Sequence, residues 1–180
     1  MRNIYFVLTY TGTFLARIIK IYTRKRYSHV SIALDKDLNE MYSFGRLNPY
    51  NPFIGGFVKE GVQEGTFKRF KNTDALVVRF KVTDEQYDKI VMEINKFIME
   101  KEKYKFNILG LFLTVINKRI RRRYYFYCAE FIKYVMEKSD IDIKLPTIIR
   151  PEDFIHISNV EPVYKGKLRN LKRIRVLELA

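Results

Sequence analysis

The chain has 180 residues, 47% of them hydrophobic, with 13 Tyr, 14 Phe, one Cys, two His and a formal net charge of +14. That length and composition argue for one globular domain over 1–180 with a real core, and against a disordered chain. A single cysteine excludes an intramolecular disulfide framework and, with two histidines, argues against a cysteine-based zinc site; no metal or other cofactor is expected.

Taken in chain order, residues 3–9 read as a strand. Thr11 and Thr13 are candidate caps for a short helix carrying Phe14, Leu15, Ile18, Ile19 and Tyr22 at helical spacing. Residues 27–35 and 39–45 read as a hairpin turning at Asp35-Lys36-Asp37. Residues 46–60 hold Pro49, Pro52 and Gly55-Gly56 and are expected to form a long loop along the wall of a cleft.

Residues 74–82 form a further strand, and Thr83-Asp84-Glu85-Gln86 is a capping box. The helix behind that box places Tyr87, Ile90, Val91, Ile94, Phe97 and Ile98 on one stripe. Residues 107–119 are expected to be helical. Cys128 begins another helix, with Phe131, Ile132 and Val135 on its stripe, and Pro151 marks one more helix start. Residues 160–165 form a last strand. The mixture predicts an α+β fold, a small antiparallel sheet packed by helices.

No apolar run reaches the roughly 20 residues a bilayer-spanning helix needs. The N-terminus begins like a signal peptide but meets Thr and Gly without a cleavage pattern, so a cytoplasmic location is expected. Basic clusters at Arg17–Arg26, Lys118–Arg123 and Lys165–Arg175 would attract an anionic surface or polymer. No nucleic-acid module is visible, so no specific nucleic-acid sequence is expected as partner.

Cys128 and His29 are the parts of a cysteine nucleophile and its base. A thiol at a helix N-terminus meets free N–H groups and the positive end of the macrodipole, which favour thiolate and can hold an oxyanion. His29 opens a strand on which Val30, Ile32 and Leu34 alternate with His29, Ser31 and Ala33. The small residues beside His29 leave room for the helix end that bears the thiol. His156, among Phe154, Ile155 and Ile157, reads as a structural or surface residue.

A third polar group should orient the imidazole, and the strand 39–46 is its expected source. An odd hairpin loop puts Met41, Ser43 and Gly45 on the face of His29, and an even loop puts Glu40, Tyr42 and Phe44 there. Ser43 is the polar candidate of the first set and Glu40 the strongest orienter of the second.

Ser28-His29-Val30-Ser31-Ile32 on a strand, then Cys128-Ala129-Glu130-Phe131-Ile132 opening a helix 99 residues after the histidine, resembles the circularly permuted papain-like cysteine hydrolases. This branch of the NlpC-type superfamily includes YiiX-like proteins and, more distantly, lecithin retinol acyltransferase. Relatives carry Ser-His-Val-Gly-Ile and Cys-Ser-Glu/Ala-Leu-Val at these places, and their histidine likewise precedes their cysteine. The resemblance spans residues 3 to about 157. It implies a hydrolase or acyltransferase acting on an amide, ester or thioester in a peptide or lipid substrate. Cys128 would be the nucleophile, His29 the base, and the Cys128 N–H part of the oxyanion hole. The competing expectation is a non-catalytic basic module that binds anionic membrane or nucleic acid.

Overall fold

The computed structural model describes residues 1–120 and 122–171. In chain order the elements are β1 (Arg2–Tyr10), α1 (Phe14–Thr23), β2 (His29–Ala33), β3 (Met41–Asn48), β4 (Asn51–Glu60), α2 (Gly65–Arg69), β5 (Asp74–Val82) and α3 (Asp84–Met99). They continue with β6 (Lys105–Phe106), α4 (Ile108–Val115), β7 (Tyr125–Phe126), α5 (Cys128–Lys138) and β8 (Val160–Lys167).

Six strands form one sheet in the order β4-β3-β2-β1-β5-β8, every neighbouring pair antiparallel. The expected α+β class is therefore what the chain adopts, with a sheet larger than the sequence suggested. The two-residue strands β6 and β7 pair in parallel and bring the chain before α4 beside the chain before α5.

Period-two burial separates the sheet into two faces. On one, Phe6 and Leu8 of β1, Val30 and Ile32 of β2, Phe44 of β3 and Val78 of β5 pack with Ile90, Ile94 and Phe97 of α3 and Phe131, Ile132 and Val135 of α5. On the other, Val7, Ala33, Met41 and Val77 pack with Phe67 of α2 and Leu168. Four phenylalanines knit the first face together: Phe44 and Phe57 both meet Phe97 and Phe131 at 5.5–5.9 Å between centroids, with Phe97 against Phe131 at 5.0 Å. This packing fixes α5 against β2 and β3 and so fixes the position of its first residue.

The local signals act as their chemistry predicts. The Thr13 hydroxyl accepts from the Ala16 N–H to start α1, and Thr83 with Gln86 forms the full capping box of α3. Asn107 caps α4, which ends at Val115 rather than near 119. The Pro151 start gives a 3-10 turn, Pro151–Ile155, not an α-helix.

Residues 46–60 are not a long loop. They form the end of β3, a tight turn at Pro49-Tyr50 and the ten-residue strand β4. Glycines replace side chains where these strands need closeness: Gly45 faces Gly56, and a Cβ on Gly55 would lie 2.8 Å from the Phe106 ring. Pro and Gly here serve an edge strand and its packing.

Candidate active site

His29 begins β2 opposite Thr9 of β1. The β2–β3 register, Ile32 to Tyr42 and Ala33 to Met41, places Ser43 and Gly45 on the His29 side. In the β3–β4 ladder Met41 lies opposite Glu60, which puts Glu60 on that side as well. Glu60 leans back across β3 toward β2. Its Oε1 is 3.0 Å and its Oε2 3.2 Å from His29 Nε2. The Ser31 hydroxyl donates to Glu60 Oε2 and stands 3.3 Å from the same ring nitrogen. Glu60 is thus the group that orients the imidazole.

Neither candidate from strand 39–46 does this. Ser43 has the right face but donates its hydroxyl to the Val30 carbonyl at 2.7 Å, completing a buried backbone acceptor. Glu40 lies before β3, half exposed, 3.9 Å from the Lys59 ammonium. The correction has a simple physical cause. The orienting carboxylate comes from two strands away, and Gly45, between the strands of His29 and Glu60, has no side chain to block it. A Cβ on Gly45 would lie 3.3 Å from Glu60 Oε1 and 3.4 Å from His29 Cε1.

The space beside Ser31 and Ala33 is also not where the cysteine helix lies. Phe67 and the Glu60 carboxylate occupy it, with the Phe67 ring 6.5 Å from the imidazole. α5 packs on the opposite face. Thiol and imidazole meet instead at the end of the sheet, in a cavity of about 80 Å³ that both line. Thr11 after β1, Ser28 before β2, and Gly45 and Arg46 of β3 also border it, all at that sheet end.

Cys128 is the first residue of α5 and is buried. Tyr127 takes the N-cap position but offers no side-chain cap; its hydroxyl donates instead to the Ile149 carbonyl at 3.1 Å. The first N–H groups of the helix therefore have no capping side chain beside the sulfur. Glu130, in the first turn, accepts from Asn107 Nδ2 at 3.3 Å and lies 4.0 Å from Arg119 Nε.

The electrostatics of His29 follow from these neighbours. Burial is the largest influence and pulls its pKa down. The Glu60 carboxylate, a hydrogen bond with Cys128 and negative charge on that sulfur outweigh burial and push it up to about 10. At neutral pH the ring is an imidazolium flanked by a carboxylate and a sulfur.

His156 is exposed and lies outside the cavity. Segment 46–60 does border the cavity, through Arg46 and Glu60, but as strand. Of the basic segments, Arg121 and residues 172–175 lie outside the described residues. Arg122 stacks on Tyr125 at 3.6 Å, and Lys167 is paired with Asp74 at 2.6 Å. Among the described residues no helix is long and apolar enough to cross a membrane, and no cluster of His, Cys, Asp and Glu is placed to hold a metal ion.

No family model matches the chain, and no curated protein matches its sequence. The functional reading therefore rests on the geometry of the site and on the two short motifs.

Glu60 is the site residue that sequence reasoning misses. The strand cue near it is the β-prone pair Phe57-Val58 just before Lys59-Glu60. Pro52 and Gly55-Gly56 obscure it.

Proposed function

We propose that the protein is a cysteine hydrolase or acyltransferase with Cys128 as nucleophile, His29 as acid–base and Glu60 as the residue that positions the ring. The observation that carries this reading is the shared cavity. A thiol at an uncapped helix N-terminus and an imidazole held on a buried carboxylate converge there. The order of histidine strand before cysteine helix also fits the permuted papain-like arrangement.

In the proposed reaction, Cys128 Sγ bonds to the carbonyl carbon of an amide, ester or thioester. The thiol proton resides on His29, and the Cys128 N–H stabilises the oxyanion. Collapse of the tetrahedral species breaks the bond to the leaving group, which takes the proton from His29. The acyl group is then a thioester on Cys128. Water or an amine attacks it, His29 accepts the attacker's proton, and the thiol is regenerated. Glu60 fixes the ring and stabilises the imidazolium but does not touch the substrate.

The substrate in this reading is a peptide or lipid with an acyl bond small enough at its reacting end to enter the cavity. The one cysteine, free and unbridged, suits a reducing compartment, and we place the protein in the cytoplasm. An anionic surface remains the partner that the +14 charge favours.

Reaction with a broad thiol-directed probe tests the reading. Iodoacetamide should label Cys128, with the rate against pH altered by His29→Ala. Identical profiles in wild type and His29→Ala would remove the dyad and leave a binding module.

A further inference from the structure

The reaction cavity holds about 80 Å³, room for several waters at the roughly 10–15 Å³ each needs but well short of the roughly 300 Å³ and more of a site that encloses a whole ligand. The rest of any substrate must lie outside it. A neighbouring depression of about 270 Å³ shares Thr13 and Arg46 with the reaction cavity, so the two adjoin. Its walls are strongly apolar: Phe14 and Ile18 of α1, Tyr50 of the β3–β4 turn, Phe70 after α2, and Ile108 and Phe112 of α4. Phe14 and Tyr50 are about four-fifths exposed (80% and 78%), costly for aromatic rings with nothing on them.

Two guanidinium groups border this same depression, Arg46 and Arg69. Arg46 Nη2 donates to Thr13 Oγ1 at 2.9 Å. Arg69 Nη1 donates to the Pro49 carbonyl at 2.8 Å, and its guanidinium lies over the Tyr50 ring at 4.0 Å. Among the described residues neither is matched by a carboxylate within 4.0 Å. Burial and then the charge of Arg69 both lower the pKa of Arg46, so the pair repels itself as it stands. Two unmatched guanidiniums beside an aromatic wall are complementary to an anion carried on hydrocarbon.

We propose that this depression is a substrate subsite for the anionic, hydrocarbon-bearing part of an acyl compound. A carboxylate or phosphate sits on Arg46 and Arg69, the hydrocarbon lies against Phe14, Ile108 and Phe112, and the reacting carbonyl reaches Cys128 over the hydrogen-bonded Thr13–Arg46 pair that separates the two spaces. The assignment rests on the cysteine-hydrolase reading, whose substrate class it narrows from peptides and lipids in general to anionic amphiphiles.

Calorimetric titration of the full chain carrying Cys128→Ala tests it. The probes are decanoate, decyl phosphate and neutral decanol, all below their micellar concentrations. One equivalent of a decyl anion should bind more tightly than decanol. Arg46→Gln and Arg69→Gln should each weaken the anion by about tenfold and leave decanol unchanged. The stronger of decanoate and decyl phosphate identifies the anionic group. Arg69 is on the surface, so Arg69→Gln decides the matter even where Arg46→Gln unfolds. Equal binding of decanol and the anions, or indifference to Arg69→Gln, overturns the subsite. Binding to anionic vesicles with none to the monomeric amphiphiles overturns it in favour of a membrane-docking face. Arg-dependent binding to Cys128→Ala, together with failure of the wild-type Cys128 to be acylated by an activated ester, would keep the subsite and sink the hydrolase. Acylation of Cys128 without Arg-dependent binding would do the reverse.

Discussion

Glu60 Oε1 lies 3.0 Å from His29 Nε2 although a whole strand, β3, separates β4 from β2. The contact exists because position 45, between them, is glycine. A carboxylate that reaches over a bare backbone fixes the ring, and the ring in turn faces the first residue of α5.

Glu60→Gln removes the charge and keeps the shape. Turnover of an activated ester or thioester should fall by about a hundredfold or more, since the imidazolium loses its counter-charge. Initial-rate kinetics check this. Ser43→Ala should behave differently: it removes the bond to the Val30 carbonyl and costs about 1 kcal/mol of stability with little loss of turnover. Glu40→Ala should leave turnover unchanged.

The histidine itself should titrate far from its usual value. Because its folded-state pKa is raised to about 10 from 6.5, its contribution to stability is fully present below pH 6.5. That contribution is lost as pH rises through about 10. NMR of the His29 ring should show imidazolium across neutral pH, and Glu60→Gln should move the midpoint toward 6.5. A wild-type midpoint near 6.5 contradicts the ion pair.

Gly45→Ala should disturb the site more than the fold. The new methyl would press on Glu60 Oε1 at 3.3 Å and His29 Cε1 at 3.4 Å. Turnover should drop by about ten- to a hundredfold, with the ring displaced from its working geometry. The melting temperature should change by only a few degrees. Rates and thermal unfolding measured on the same sample separate the two effects.

Much of this arrangement is legible in the sequence because it is written in local signals. The Thr83–Gln86 capping box, the stripe Ile90–Ile94–Phe97 and the helix start at Cys128 each depend on neighbours within a turn or two. The alternation Val30–Ile32 against His29–Ser31 likewise shows which residues share a face. The orienting residue is hidden because its role is set by strand pairing 31 positions apart. β4 itself is hidden by Pro52 and Gly55-Gly56, which normally mark a loop, although Gly55 here lets the strand lie close to β3 and β6. The hairpin parity leaves Ser43 and Glu40 equally placed, and neither touches the ring, because a carboxylate is supplied from the next strand out.

The most direct test is whether Cys128 becomes acylated. Intact-mass measurement after brief reaction with p-nitrophenyl acetate should show one acetyl group, mapped to Cys128 by peptide sequencing and accompanied by a burst of p-nitrophenol. Cys128→Ala should abolish the adduct, and His29→Ala should slow its formation by about a hundredfold or more. Absence of the adduct in folded wild-type protein, or its formation at the same rate in His29→Ala, would contradict the account.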